Sequence, residues 1–242
     1  NTKQKSPTSG ASAFNDYFGG GGGSIYSRLF YLPRNFDLNN LPWENPADGS
    51  NIFYRALDNP IWIANNNFYE SDVNRIYGNL TASYDISEGI NILLKGGINT
   101  YHEARRNNVR SGGISNPDGY VSTVDLNNSE KDFTALLSID KTLTDNISLK
   151  GTFGFNANER KLTGRGVTGN TIISTGLNVT NATSTQIVDT DFTRKRRIYG
   201  YFADLSFGYK DYLYFNLVGR NDVSSTLPIG ANSYFYPGAS IS

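Results

Sequence analysis

Cysteine is absent from the 242 residues, so neither a disulfide framework nor a thiolate metal site can form. Methionine is absent too, and His102 is the single histidine, which excludes a histidine cluster and most nucleophile–base triads. Net charge is lacking: 22 Lys and Arg balance 22 Asp and Glu, so no bulk field draws the chain to nucleic acid. No apolar run reaches the 18 or more residues of a transmembrane helix. That last absence leaves membrane strands open, because an alternating strand keeps average hydropathy low, and the mean hydropathy is −0.44. Carboxylates such as Asp118 and Asp125 fall in expected loops without a catalytic partner. No enzyme activity, no cofactor and no metal are expected.

What is abundant points to β structure. Aromatics make up 13%, with 16 Tyr and 14 Phe, beside 25 Gly that supply turns. Residues 1–72 show little periodicity and are expected to form a partly ordered extracellular loop region, with a short helix near 24–32 capped by Ser24. The run Gly19-Gly20-Gly21-Gly22-Gly23 reads as a connector, since no Lys-Ser/Thr follows to complete a phosphate cradle.

From 73 to 242 the pattern has period two. Ile76, Gly78, Leu80, Ala82, Tyr84 and Ile86 alternate with Asn79, Thr81 and Ser83; after a turn at 87–89, Ile90, Ile92, Leu94, Gly96 and Ile98 oppose Asn91, Lys95 and Asn99. A second pair runs through Phe133, Ala135, Leu137 and Ile139, turns at 142–146, and returns through Ile147, Leu149, Gly151, Phe153 and Phe155. A third passes through Tyr199, Tyr201, Ala203, Leu205 and Phe207, turns at 210–211, and returns through Leu213, Phe215 and Leu217; a further strand starts near Tyr234.

These strands are about ten residues or more, against about 5–6 in soluble sheets, and about 9–11 tilted residues cross a bilayer core. Short turns alternate with long connections near 102–130, 158–194 and 221–233, the pattern of periplasmic turns and extracellular loops. The expected fold is an all-β, antiparallel transmembrane β-barrel meander, apolar face to lipid and polar face to a wet lumen. About seven strands fall below the roughly eight that close a barrel, and Ser242 falls a few residues into a strand; the chain is therefore expected to be a fragment.

Several motifs then stand out: Asn59-Pro60-Ile61-Trp62; Arg75-Ile76-Tyr77-Gly78-Asn79; Leu217-Val218-Gly219-Arg220-Asn221-Asp222, continuing Ser224-Ser225-Thr226-Leu227-Pro228; and Ser233-Tyr234-Phe235-Tyr236-Pro237-Gly238. On these the chain, from about Ser24 to Ser242, resembles the barrel of SusC-like (RagA-like) TonB-dependent outer-membrane transporters. The resemblance implies a barrel of about 22 strands around an N-terminal plug. It also implies a SusD-like surface lipoprotein as lid, energy relayed by TonB through N-terminal parts missing here, and uptake of oligosaccharides or peptides across a Gram-negative outer membrane. Plug and TonB box are not among these residues, so energised transport follows from the resemblance alone.

The candidate contact residues follow. Trp43, Tyr69 and Tyr120 could stack on cargo or simply pack the loops, and Trp62 beside Pro60 reads as structural. Arg105 and Arg106, with Arg110 nearby, could receive an acidic substrate or the lid. Lys95, Asn99, Lys150 and Asn156 are expected to face the lumen. In the run Arg194-Lys195-Arg196-Arg197, alternation turns Arg197 outward to lipopolysaccharide phosphate and Arg196 inward. Two other classes remain: a secreted β-sandwich that binds carbohydrate or acts as an adhesin, and a barrel serving as scaffold in a surface assembly.

Overall fold

The computed structural model describes residues 1–7, 29, 32–54, 58–210 and 212–242. Most of the stretch 24–32, and the glycine run, lie outside these residues. The elements are β1 (Thr2–Pro7), α1 (Pro60–Asn66), β2 (Phe68–Ser87), β3 (Ile90–Val109), β4 (Tyr120–Thr144), β5 (Ile147–Ile172), a 3-10 turn (Thr180–Ala182), β6 (Thr183–Tyr209), β7 (Leu213–Ser224) and β8 (Ser233–Ile241). The eight strands form one antiparallel meander in sequence order, matching the all-β expectation.

Two departures from the sequence reading have physical causes. Much of 102–130 and 158–194 is strand, and the polar connections shrink to 110–119 and 173–182. Outside an apolar setting neither face must be greasy, so the period-two signal fades while backbone pairing persists. The first residues are strand rather than loop: β1 pairs with β2 from Thr2↔Val73 to Pro7↔Phe68. Its register is marked by charge, Lys3 to Asp72 at 3.4 Å and Lys5 to Glu70 at 3.1 Å, not by apolar alternation.

The described chain divides into two compact units. The first comprises Asn1–Asn74, His102–Leu126 and Thr163–Phe192. It holds the buried apolar side chains Trp62, Ile63, Val109, Val121 and Ala182. The motif Asn59-Pro60-Ile61-Trp62 is a clasp in this core. Asn59 caps α1 by accepting from the Ile61 amide at 2.9 Å, Pro60 sits where an amide would have no partner, and Asn59 Nδ2 donates to the Ile52 carbonyl at 3.1 Å. Trp62 Nε1 donates to the Gly49 carbonyl at 3.0 Å, and Asp58 accepts from the Ile114 amide at 2.5 Å. Arg110 donates to Glu44 at 2.7 Å and to Asn66 at 2.6 Å. Gly49, at φ +73°, has no room for a side chain beside Arg110.

The second unit comprises Arg75–Tyr101, Asn127–Leu162 and Thr193–Ser242. Among the described residues it has no buried hydrophobic side chain. Its hairpins turn tightly: Gly89, at φ +68°, lies against the Asp140 carbonyl and itself accepts from the Asp140 amide at 2.7 Å.

Candidate functional site

The second unit has two chemically distinct faces. One carries Ile76, Leu80, Tyr84, Ile92, Leu94, Ala135, Leu137, Phe153, Phe155, Tyr201, Ala203 and Phe235, several of which line a single shallow apolar depression. Ile76 is 72% exposed, Leu80 78% and Ile241 72%. Soluble monomers rarely expose so contiguous an apolar surface. At the end of this face remote from the hairpin turn, Phe155 stacks on Tyr199 at 6.5 Å and tilts against Tyr201 at 5.0 Å, with Phe133 at 6.3 Å. At the turn, Tyr209 meets Tyr212 edge-on at 5.8 Å.

The opposite face is a hydrogen-bonded polar lattice. Lys95, Asn99, Lys150 and Asn156 all belong to it by alternation. Asn99 accepts from Arg75 Nε at 2.8 Å, and Lys150 pairs with Asp140 at 3.3 Å. Lys95 lines a small cleft of about 390 Å³ with Arg75, Asn79, Asn99 and Asp132. Asn156 donates to Thr134 at 3.3 Å and accepts from Arg220 Nη2 at 3.0 Å. Arg220 also grips both carboxylate oxygens of Asp222 at 2.9 Å, and its guanidinium lies 5.5 Å over the Phe202 ring. The Phe202 ring occupies the space above Gly154, where a Cβ would collide with it, and a Cβ at Gly200 would meet Arg220 at 2.5 Å. Sequence reasoning quoted the motif that holds Arg220 without giving that side chain a role. The signal was available: an Arg two residues from an Asp on one strand places both on one face.

In the first unit, Tyr69, Arg105 and Tyr120 share one face, while adjacency puts Arg106 on the other. Arg105 donates to both oxygens of Glu103, at 2.7 and 3.0 Å, and Glu103 accepts from Ser71 at 2.9 Å. Tyr120, half-buried, accepts from Asn107 at 3.1 Å. Arg106 lines a cleft of about 500 Å³ with Lys3, Lys5, Glu70, Asp72 and Asp125. Trp43, half-buried in the segment before α1, accepts through its carbonyl from the Ile52 amide at 3.0 Å. Arg110 belongs to the clasp. Asp48 accepts from the Ser50 amide at 2.9 Å; that bond, then the Ser50 side chain, and least of all the nearby Arg110 charge, hold its carboxyl below the usual range.

Arg197 lies on the apolar face, two residues beyond Tyr199. It donates to Glu159 at 2.6 Å, and Lys195 reaches the same carboxylate at 3.1 Å. Arg196 projects to the polar face by alternation.

No protein-family description and no curated protein matches the chain. Solved structures do match. The RagAB peptide transporter aligns with a TM-score of 0.67 and 14% identity over 78% of this chain and 22% of that one. The RagAB peptide importer in its "closed-closed" state gives 0.66, and in its "open-open" state 0.63, with the same identity and coverage. The chain thus has the fold of part of a TonB-dependent transporter barrel and spans about a fifth of the length of the chains it matches.

Proposed function

We propose that this chain forms part of the wall of an outer-membrane nutrient transporter. Its cargo is an oligosaccharide or a peptide, a SusD-like surface lipoprotein is its lid, and TonB relays the energy. The observation that carries the membrane placement is the apolar face of the second unit, which has no protein core to cover. From Tyr199 to Tyr209 the apolar-face residues run aromatic, aliphatic, aromatic. At ~3.3 Å per residue that stretch is ~33 Å long, and a barrel strand tilted by ~40° projects it to ~25 Å, the height of the apolar band in outer-membrane barrels. The short hairpin turns at 88–89, 145–146 and 210–212 then face one aqueous side.

Closure follows from the same physics. An unpaired strand edge cannot sit in hydrocarbon, so the edges of β2 and β8 require further strands within the membrane. The polar lattice around Arg220 and Asn156 then borders a water-filled interior, where fixed donors and acceptors suit hydroxyl- or amide-rich cargo. In the first unit, Tyr69, Arg105 and Tyr120 are the contacts we assign to cargo or lid; Trp43 is a second-rank candidate, and Arg106, on the opposite face, is assigned to neither. The fold match to a peptide transporter favours transport over a secreted sandwich, in which one sheet face would be covered by a second sheet.

Absence of cysteine makes the test direct. Spin labels at Leu205→Cys and Ser206→Cys in the reconstituted protein should report opposite environments. The Leu205 label should be relaxed by oxygen dissolved in the acyl chains, and the Ser206 label by a water-soluble nickel chelate. Two labels equally accessible to the aqueous reagent would end the membrane reading. Loss of uptake of a radiolabelled oligosaccharide or peptide in an Arg105→Ala, Tyr120→Ala strain, with normal surface amounts, is the result expected for the contact assignment.

A further inference from the structure

Charge is distributed unequally between the two faces just past the Phe133–Phe155–Tyr199 aromatic rung. Glu130 and Asp132 both bond Asn158, and Arg160 pairs with Glu130 at 2.8 Å, which fixes these even-numbered positions on the polar face. Their neighbours Lys131, Glu159 and Lys161 therefore lie on the apolar face. Contacts of Lys195 and Arg197 with Glu159 put both of these on that face as well. On these three strands of the second unit, the apolar face beyond the aromatic rung holds four cations and one carboxylate. All four cations are exposed, and Lys131 and Lys161 make no ion pair among the described residues. The neighbouring carboxylates Glu130 and Asp132 sit on the reverse side of the sheet.

We infer that Lys131, Lys161, Lys195 and Arg197 anchor a phosphate-bearing lipid headgroup, that of lipopolysaccharide in the outer leaflet, with Glu159 holding two of the cations side by side. The inference rests on the membrane placement proposed above and adds its lipid partner. Three observations support it. The cluster is continuous with the apolar face, so an acyl chain lying along Phe155 and Tyr201 leads to it. Arg197 follows Tyr199 by ~7 Å along the strand and Lys195 by ~13 Å, the depth at which headgroups begin above the hydrocarbon. The surplus of positive charge survives the Glu159 pairing, and the guanidinium of Arg197 keeps donors beyond the Nε bound to that carboxylate, which suits a phosphate. Glu159 is a positioning residue: its carboxylate would repel phosphate if it stood alone, yet it keeps Lys195 and Arg197 from splaying apart.

The test uses the native protein extracted in detergent and inserted into phosphatidylcholine vesicles with and without lipid A. One variant combines Lys131→Gln, Lys161→Gln and Lys195→Gln; a matched control combines Lys95→Gln, Lys150→Gln and Arg196→Gln on the polar face. Each cation near an anionic lipid surface strengthens binding about fivefold. The first variant should therefore retain at least about tenfold less lipid A phosphate per protein after detergent washing, and the control should match wild type. Equal retention by both variants, or equal loss in both, overturns the proposal. Insertion into pure phosphatidylcholine is read separately from heat-resistant folding on gels. A wild-type protein that never inserts defeats the membrane placement, and this proposal with it. One that inserts but holds lipid A regardless of these lysines defeats the lipid anchor alone.

Discussion

Removing the Trp62 side chain tests the clasp most severely. Trp62 is 0% exposed, its ring lies against Gly113 where a Cβ would come within 3.2 Å, and its indole N–H satisfies the Gly49 carbonyl. Trp62→Ala empties a site bounded by backbone on two sides, which leaves little scope for collapse. A buried Trp-to-Ala change costs about 3–5 kcal/mol. Trp62→Phe keeps most of the packing and strands one carbonyl, costing about 1–3 kcal/mol. Global unfolding does not isolate the clasp, so local amide exchange over 44–52 and 110–117 is the assay. At a factor of ten per ~1.4 kcal/mol, Trp62→Ala should speed exchange there by about a hundredfold to a few thousandfold, and Trp62→Phe by about five- to a hundredfold. Exchange in the 199–209 segment should not change. Unaltered protection in the clasp, with a loss of cargo binding instead, would refute the structural role and make Trp62 a contact residue.

Other outcomes follow from particular contacts. Gly154→Ala drives a methyl into the Phe202 ring and should cost about 1–3 kcal/mol; urea unfolding in detergent measures it, and the additional change Phe202→Ala should recover part of the loss. Arg220→Lys keeps the charge but loses the two-oxygen grip on Asp222, so it should weaken the barrel nearly as much as Arg220→Ala, by about 1–3 kcal/mol in the same assay. The Asp48 carboxyl is held low in the folded chain, so its bond to Ser50 is fully present above the ordinary carboxylate value and is lost as pH falls through the depressed one. Amide exchange at Ser50 should rise only on strong acidification, and Asp48→Asn should flatten that dependence.

The sheet was legible where one face must be apolar. Ile76 to Ile86, Phe133 to Ile139 and Leu213 to Leu217 announce their strands because alternate positions are apolar or small. The hairpin turns were legible for a related reason, since Glu88-Gly89 and Asp145-Asn146 interrupt that alternation with residues suited to tight reversal. Strand beyond the apolar band was not legible. Around Glu103 to Asn107, and again around Gly164 to Thr168, both faces are polar or glycine-rich, and backbone pairing leaves no mark in composition. β1 escaped notice because its partners lie more than sixty positions away and its register is carried by two lysines. Of the candidate contacts, the opposite facing of Arg105 and Arg106 was implicit in their adjacency once the strand was known. Arg220 was overlooked because its partners Asn156 and Phe202 come from two other strands, a convergence that only the folded sheet makes visible.

The lack of an interior in the second unit bears on how such a wall can change over time. A packed core is a mould: each side chain must match the shape of its neighbours, and a stray methylene is felt at once. In the proposed membrane placement the second unit meets lipid tails instead, which are fluid and impose no such fit. At Leu80 or Ile86 the requirement is only that the side chain be greasy, so exchanges among Leu, Ile, Val and Phe there should pass almost unnoticed. The fixed points of the wall should instead be its wet side and its turns, where Gly154 makes room for Phe202 and Gly89 for Asp140. A protein built this way can drift far in sequence on its outer skin while the scaffold beneath stays the same.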